Sequence, residues 1–170
     1  KAFDGLDASY PLPYGYACVG YIEDAGSAID SSFKGKKVFA FQPHASHFVC
    51  RLDQLIFLAD GITEEAGTFL ANMETAVNFF IDGAVQAEEN IAIIGMGVVE
   101  QLLNTVLSLH AVQGIAAIDS IKARRDIAEN EELTSGFAPG SQGLRETGNG
   151  FDLIFEISGN PDALNLAIEL

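Results

Sequence analysis

The chain has 170 residues, which is enough for one ordinary domain or for two small and incomplete ones. Hydrophobic residues make up 48% of it, a content that excludes a disordered chain, and a formal charge of −15 disfavours nucleic acid because phosphates are repelled. The longest apolar run, at 91–99, is too short to span a bilayer, and no signal peptide is recognised at residue 1. We therefore expect a cytoplasmic protein without membrane or nucleic-acid partners, with Cys18 and Cys50 as free thiols.

The first sixty residues are predicted to be rich in β-structure. A turn-rich opening at 1–14 leads to strands at 17–23 and 38–41, and a further strand is predicted at 47–52, after Pro43. Short strands separated by turns are typical of part of a small β-barrel or sandwich.

A long helix is predicted next. Thr63 is expected to cap its start, and Glu64 and Glu65 suit the positive end of a helix dipole. Apolar residues then recur at spacings of three and four as far as residue 80. The helix is expected to run for about five turns and to end near Gly83, which suits a C-terminal cap.

Residues 90–99 combine three features in a row. An apolar, β-branched run at 90–94 predicts a strand, Gly95 and Gly97 follow it, and a helical pattern extends over 98–109. This order builds a phosphate-binding site from backbone, because the glycines permit close approach and unpaired helix N–H groups face the charge. Without a ligand, the same pattern is a plain strand-to-helix turn.

The rest of the chain repeats the alternation of strands and helices. A strand at 115–118 ends at Asp119, at the spacing where such folds keep an acid for the adenosine ribose, and Ser120 is predicted to cap a helix over 121–127. Residues 129–150 are predicted to be a long loop with one weak strand, followed by a strand at 151–156 and a helix that opens at Pro161. Strands alternating with helices predict a parallel sheet and an α/β fold.

An ordered series of short motifs runs along nearly the whole chain. The motifs are Gly15-Tyr16-Ala17, Val19-Gly20, Phe33-Lys34-Gly35-Lys36-Lys37-Val38, Leu58-Ala59-Asp60-Gly61, Thr75-Ala76, Ile94-Gly95-Met96-Gly97, Asp119 and Glu156-Ile157-Ser158-Gly159-Asn160-Pro161. In this order they resemble the medium-chain dehydrogenase/reductase superfamily of zinc-type alcohol dehydrogenases. Within it, they resemble most the branch that includes bacteriochlorophyllide dehydrogenase-like proteins.

The resemblance implies two domains, with cofactor and substrate bound between them. Residues 1–60 are expected to form part of a GroES-like catalytic β-barrel domain. Residues 61–170 are expected to form part of an NAD(P)-binding Rossmann domain, a parallel sheet with helices on both faces. The resemblance also implies that the chain is incomplete at both ends, since the family's opening strands would precede residue 1 and its last Rossmann strands would follow residue 170.

The residues expected to bind the cofactor surround the glycine turn. They are Thr75, Gly95, Gly97, Val98, Asp119, Arg124, Ser158 and Gly159. Asp119 favours NAD, because a carboxylate accepts the ribose 2′-hydroxyl and repels a 2′-phosphate. Lys122, Arg124 and Arg125 keep NADP open, although they equally suit a solvated helix face.

Several positions depart from the family's pattern. Tyr16 and Ala71 stand where the resemblance implies zinc ligands, and neither side chain is a usual ligand, so we expect no catalytic zinc. The cysteine-rich lobe that holds a structural zinc in the family is also missing after the Val38 strand. Glu100 replaces the third glycine of the fingerprint. It is expected to rearrange helix-to-strand packing and, if it points inward, to repel a pyrophosphate.

Tyr16, His47 and Thr75 are the candidates for catalytic roles. The Tyr16 hydroxyl is placed to polarise a carbonyl, or its ring fills the vacated metal pocket; Thr75 by resemblance lies near the nicotinamide, or packs against the sheet. His47 suits proton transfer near neutral pH. His44, His47 and Cys50 have the spacing of metal ligands, but strand neighbours three apart point to opposite faces, so no metal site is expected.

The sequence therefore predicts an NAD(P)-dependent oxidoreductase that moves a hydride between nicotinamide and an alcohol or carbonyl substrate. A zinc-free quinone or enone reductase is one alternative. A nucleotide-binding or scaffold protein that kept the fold and lost turnover is another. We expect a small-molecule substrate and a homodimer, and no activity of this chain alone, because sheet edges and apolar faces would stay uncovered.

Overall fold

The computed structural model describes residues 13–147 and 150–170, and the chain divides into two compact units, Lys1–Ala71 and Asn72–Leu170. The predicted turn-rich opening at 1–14 therefore lies almost wholly outside the described residues. The predicted domain boundary between residues 60 and 61 stays a prediction, because compactness within a chain does not show where functional domains meet.

The N-terminal unit contains a three-stranded antiparallel sheet. Its strands are β1 (Cys18–Tyr21), β2 (Lys37–Ala40) and β3 (Leu55–Phe57), with β2 in the centre. Phe39 lies opposite Val19 on one side and Ile56 on the other, and it is fully buried. The central strand thus supplies the core. The strand predicted at 17–23 is confirmed in shortened form, and the strand predicted at 38–41 is confirmed one residue earlier, at 37–40.

The strand predicted at 47–52 is wrong. Leu52–Gln54 forms a 3-10 turn, and the third strand begins only at Leu55. The Arg51 N–H donates to the Gln54 side-chain oxygen at 2.9 Å, and the Arg51 guanidinium pairs with Asp53. Polar side chains that bond locally to the backbone favour a turn over a strand ladder, and this bonding outweighs the apolar pattern of 48–52.

The long helix predicted from residue 63 is divided into α1 (Glu64–Gly67) and α2 (Leu70–Asp82). Thr63 is confirmed as the N-cap, since its hydroxyl accepts from the Ala66 N–H at 3.1 Å. Gly83 is not the left-handed cap that was predicted, because Ala84 takes the positive φ, at 49°. Gly83 instead leaves room for Phe155, whose ring would lie 2.8 Å from a Cβ at that position.

The C-terminal unit is built on a four-stranded parallel sheet, which confirms the predicted α/β class. Its strands in the described part of the chain are β4 (Asn90–Ile94), β5 (Gly114–Ile118), β6 (Thr134–Phe137) and β7 (Leu153–Glu156), in the order β6-β5-β4-β7. Its helices after α2 are α3 (Val98–Ser108), α4 (Lys122–Ala128), α5 (Gln142–Arg145) and α6 (Ala163–Glu169).

Two details of these elements differ from the predictions. Ser120 does not cap α4, which begins after Ile121 and lacks a side-chain cap. The stretch predicted as a loop with one weak strand contains that strand, β6, but also the short helix α5. Four helical residues are too few to show a 3.6-residue period, so this helix leaves no pattern in the sequence.

The sheet is covered on both faces, because side chains alternate along its strands. On one face, Ile91 and Ile93 of β4 pack with Leu103 and Leu107 of α3. On the other face, Ala92 and Ile94 pack with residues of α5 and α6. No helix of the described part of the chain is long and apolar enough to cross a membrane.

Candidate functional site

The glycine turn lies between β4 and α3, at the carboxyl end of the sheet. Gly95 has a φ of +97°, and a Cβ there would lie 2.8 Å from Cα of Ser158. The Gly95 N–H donates to the Ile118 carbonyl at 2.7 Å. The left-handed backbone and the close approach of the chain after β7 both require glycine at this position, as the sequence predicted.

Helix α3 begins directly after the turn. Gly97 is its N-cap residue, and no side chain caps the helix there. The first N–H groups of a helix have no intrahelical acceptors and carry its positive end, so this end of α3 favours an anion. Backbone donors and a small residue at the cap are the features that a phosphate group needs.

Asp119 lies at the end of β5 and is bonded to the glycine turn. Its Oδ2 accepts from the Met96 N–H at 2.8 Å, and its Oδ1 accepts from the Ile121 N–H at 2.7 Å. Burial raises the pKa of the Asp119 carboxyl, but the two backbone N–H groups and the Arg124 guanidinium outweigh it and hold the pKa below its usual value. The side chain is therefore an ionised acid, 7% exposed, at the turn.

The three cations of α4 have different surroundings. Arg124 is half exposed, with Nη1 3.4 Å from Oδ2 of Asp119. Arg125 donates to the Asp119 carbonyl at 2.6 Å, and Lys122 pairs with Asp126 one helical turn later, also at 2.6 Å. Among these three cations, Arg124 is therefore the one whose guanidinium lies beside the Asp119 carboxylate and is still half exposed to solvent.

The chain after β7 completes the turn region. Oε1 of Glu156 accepts from the N–H of Ser158 at 2.9 Å and from its hydroxyl at 2.6 Å. The Ser158 hydroxyl in turn accepts from the Asn160 N–H at 3.1 Å, and Gly159 has a φ of +68°. The structure thus brings together Gly95 and Ser158, the ends of two neighbouring strands.

The other predicted site residues are more scattered. Val98 is half exposed on the first turn of α3, and Thr75 lies at an exposed position of α2, in the same unit. Tyr16 and His47 belong to the N-terminal unit. Tyr16 is exposed ahead of β1, and Nε2 of His47 lies 3.2 Å from Oε2 of Glu23 on the surface.

The N-terminal unit contains two cavities. One, of about 700 Å³, is lined in part by Cys18, His47 and Cys50; another, of about 640 Å³, lies beside Lys36 and Lys37. Tyr16 lines neither of them. Concavity alone therefore does not mark the glycine turn, whose chemical features are backbone donors and a charged side chain.

His44 and His47, two of the side chains with the spacing of metal ligands, have other neighbours in the structure. His44 packs against Gly15 and the ring of Tyr14, whereas His47 pairs with Glu23. Within residues 13–147 and 150–170, no three His, Cys, Asp or Glu side chains converge in a way that could hold a metal ion. The absence of catalytic zinc stays a prediction.

Sequence reasoning missed three interactions. It found Asp119 from its spacing, but backbone partners such as the Met96 N–H leave no mark on a sequence. It assigned no partner to Lys37, which lies 3.3 Å from Glu64 and donates to the Ile62 carbonyl at 2.7 Å. A hydrogen bond from the Tyr21 hydroxyl, with help from Lys37, lowers the pKa of Glu64 to about 2.

The direction of the Glu100 side chain was not predicted either. The side chain is buried, and its Oε2 lies 2.9 Å from the point where a Cβ on Gly97 would stand. Sequence reasoning noted Glu100 as a departure and expected rearranged packing, but it gave no direction for the side chain. The carboxylate in fact turns back toward the start of its own helix.

Comparisons with known proteins were made for both sequence and fold. No protein-family model matches the chain. The zinc-type alcohol dehydrogenase-like protein YphC of Escherichia coli K12 is 24% identical over 154 residues, which cover 85% of this chain and 44% of YphC. Galactitol-1-phosphate dehydrogenase from Escherichia coli has a similar structure, with a TM-score of 0.76 and 20% identity over 95% of this chain and 57% of that chain.

The resemblance to zinc-type alcohol dehydrogenases is confirmed. An alcohol dehydrogenase from Escherichia coli CFT073 complexed with NADH also shares the fold, with a TM-score of 0.74 and 16% identity over 89% of this chain and 56% of that chain. The predicted fold class, a Rossmann-type sheet preceded by part of a GroES-like domain, is confirmed with it. The placement near the bacteriochlorophyllide dehydrogenase-like branch stays a prediction.

The chain spans about half the length of these alcohol dehydrogenase-like proteins, from 44% of YphC to 57% of the galactitol-1-phosphate enzyme. At these identities, the structural similarity establishes the fold.

Proposed function

We propose that the protein is an NAD(P)-dependent oxidoreductase of the medium-chain type, and that its C-terminal unit binds the dinucleotide on the glycine turn. One observation carries the proposal: the turn between β4 and α3 joins an uncapped helix N-terminus to a buried, ionised carboxylate 2.8 Å from its backbone. The complex of a fold relative with NADH supports the same assignment.

The bound nicotinamide would supply the hydride chemistry, and the residues of this chain would position it. The N–H groups at the start of α3 suit the pyrophosphate, with Gly95, Gly97 and Val98 forming the turn. Ser158 and Gly159 line the neighbouring strand end, and we assign Thr75 to the nicotinamide side. The substrate class is an alcohol or carbonyl compound, and Tyr16 and His47 are the proposed groups for polarising it and for moving a proton.

We propose NAD rather than NADP as the cofactor. Asp119 is ionised, and a carboxylate at the end of this strand accepts a 2′-hydroxyl and repels a 2′-phosphate. Both of its oxygens already accept a backbone N–H, but a carboxylate oxygen has room for a second donor. Arg124, half exposed and 3.4 Å from Asp119, is the group that would favour NADP.

We further propose that the reaction proceeds without catalytic zinc. The support is the donor set, since Tyr16 and Ala71 stand at the implied ligand positions. YphC, by contrast, is a zinc-type protein. Metal analysis of the purified full-length protein is expected to find no stoichiometric zinc, and one tightly bound zinc per chain would contradict this part of the proposal.

A second candidate function is a nucleotide-binding or scaffold protein without turnover, and a zinc-free quinone or enone reductase remains an alternative among enzymes. The absent zinc ligands and Glu100 favour the inactive protein. One assay separates an enzyme from an inactive protein. Absorbance of the reduced nicotinamide rises over time only if the protein catalyses hydride transfer from a supplied alcohol to the oxidised nicotinamide, and falls only if it catalyses hydride transfer from the reduced nicotinamide to a supplied carbonyl or enone. We also propose a cytoplasmic location and a homodimer for the full-length protein.

Hydrogen exchange with and without NADH tests where the dinucleotide binds. We expect slower amide exchange at Gly97–Glu100 and at Ser158–Gly159, because bound phosphate and ribose shield these N–H groups. Amides of β6, at the far edge of the sheet, serve as the internal control and should not change. Protection in the N-terminal unit alone would contradict the assignment.

A further inference from the structure

A buried carboxylate in the first turn of α3 has no partner. Glu100 is 7% exposed, and within the described residues neither a hydrogen bond nor an ion pair reaches its carboxylate. Its oxygens keep some contact with water, because neither is among the fully buried polar atoms that lack a partner. The positive end of α3, where Glu100 is the third residue, favours a carboxylate at this place.

The carboxylate occupies the space that a phosphate would need. The second glycine of a Gly-x-Gly turn lacks a side chain so that a pyrophosphate can approach the backbone there. In this chain that glycine is Gly97, and Oε2 of Glu100 lies 2.9 Å from the point where its Cβ would be, with the carboxyl carbon at 3.7 Å. An anion of the protein itself thus lies at the edge of the volume left by the absent side chain.

We propose that Glu100 is an internal anion at the phosphate position of the glycine turn, and that a dinucleotide binds only when this side chain is displaced. The proposal rests on the proposed function, because it concerns the same dinucleotide site. A carboxylate and a phosphate repel each other, so both cannot occupy the start of α3. The observed affinity for the dinucleotide is therefore the intrinsic affinity multiplied by the fraction of molecules in which Glu100 has moved away.

Two substitutions separate the charge of Glu100 from its bulk. Glu100→Gln removes the charge and keeps the size, whereas Glu100→Ala removes both and preserves helix propensity. Glu132→Gln, at an exposed position, makes the same change in net charge away from the turn and is the matched control. All are made in the full-length protein, and the dissociation constants for NADH and NADPH are measured by nicotinamide fluorescence.

Glu100→Ala is expected to bind NADH at least about tenfold more tightly than the wild type, and Glu100→Gln several-fold more tightly, while Glu132→Gln is unchanged. Tighter binding by either folded Glu100 variant supports the proposal, including a case in which only the variant binds. Circular dichroism and thermal unfolding identify folded variants, and the near-isosteric Gln variant serves if the Ala variant does not fold.

Unchanged or weaker binding by the Glu100 variants, with a wild type that binds NADH, would overturn the role of Glu100 and leave the proposed function in place. Failure of the wild type and of every folded variant to bind either nucleotide would overturn both. These two results are distinct, so the test separates the inference from the function on which it rests.

Discussion

The side chain of Asp119 connects two backbone segments through hydrogen bonds. Its two oxygens accept from the N–H of Met96 in the glycine turn and from the N–H of Ile121 before α4. The same carboxylate that the proposed function assigns to the ribose is thus also part of the fold. Substitutions at Asp119 are consequently expected to change stability as well as nucleotide binding.

Asp119→Asn is expected to lower the free energy of unfolding by about 1–3 kcal/mol at neutral pH, because an amide offers one oxygen where two buried N–H groups need acceptors. Urea unfolding measures the change. Asp126→Asn, which removes an exposed ion pair with Lys122, is the control and should cost less than about 1 kcal/mol. Equal losses in the two variants would contradict the structural role of Asp119.

The difference in stability between the wild type and Asp119→Asn is expected to depend on pH in a defined direction. The pKa of Asp119 lies below its usual 3.8 in the folded protein, so its contribution is complete above 3.8 and is lost as the pH falls through the lower folded pKa. The stability difference between wild type and Asp119→Asn should therefore narrow on acidification below 3.8. A difference that stays constant there, or widens, would show that ionisation of Asp119 does not stabilise the fold.

Gly95 and Gly140 provide a comparison of two glycines with positive φ. A Cβ at Gly95 would contact the Ser158 backbone at 2.8 Å, whereas a Cβ at Gly140 meets open space. Gly95→Ala is expected to destabilise by about 2–4 kcal/mol, from backbone strain plus overpacking, and Gly140→Ala by about 1 kcal/mol, from strain alone. Thermal unfolding of both variants checks the ranking, and the reverse order would refute the close approach at the turn.

At the scale of elements, a buried polar network holds α3, α4 and β6 together. Asn104 of α3 is 1% exposed; its amide donates to the Ala128 carbonyl at 3.1 Å, and its oxygen accepts from the Thr134 hydroxyl at 2.8 Å. The first bond connects α3 to the end of α4, and the second connects α3 to the edge strand β6. Satisfied buried networks of this kind specify one arrangement of elements.

Asn104→Ala is expected to destabilise the protein by about 1–3 kcal/mol, because it leaves the buried Thr134 hydroxyl without its partner and removes one of the two donors to the Ala128 carbonyl, the other being the Glu131 N–H. Its neighbour Thr105 offers a matched control, since its hydroxyl bonds to Glu131 at an exposed position. Thr105→Val should change stability by less than about 0.5 kcal/mol. The two variants are compared by urea unfolding, and similar losses would argue against the network as the link between these elements.

The elements also show what a sequence reveals about this fold. Strands β4 and β5 are continuous apolar runs followed by turn residues, and their pattern sufficed to predict them with the parallel sheet. Strand β3 was misplaced because the bonds of Arg51 to Gln54 and Asp53 form a turn where the apolar pattern continues. The short helix α5 was missed because four residues do not reveal a helical period.

The candidate site, like the fold, was predictable from the sequence only in part. The positions of Gly95, Gly97 and Asp119 follow from the motif and its spacing, since these are constraints on residue type. The hydrogen bond from Met96 to Asp119 and the direction of Glu100 do not follow, because they depend on how the backbone and a flexible side chain settle in three dimensions. Interactions of this kind decide whether the turn is open to a phosphate.

On the scale of the whole molecule, the described chain combines a sheet of antiparallel strands and a parallel α/β sheet, each in its own compact unit. It spans about half of the alcohol dehydrogenase-like proteins that it resembles. Its formal charge of −15 repels the phosphates of a dinucleotide. Local backbone donors and the few cations of α4 are therefore the features of the proposed site that favour binding. The central claim is accordingly that the glycine turn binds a nicotinamide dinucleotide.

Titration of the full-length protein into NADH, followed by nicotinamide fluorescence, tests this claim most directly. The chain contains no Trp, so emission of the bound nicotinamide is observed without Trp emission from this chain. We predict a saturable change in fluorescence with NADH and a weaker one with NADPH, since Asp119 repels a 2′-phosphate. No change with either nucleotide, for the wild type and for the folded Glu100→Ala variant, would contradict the account.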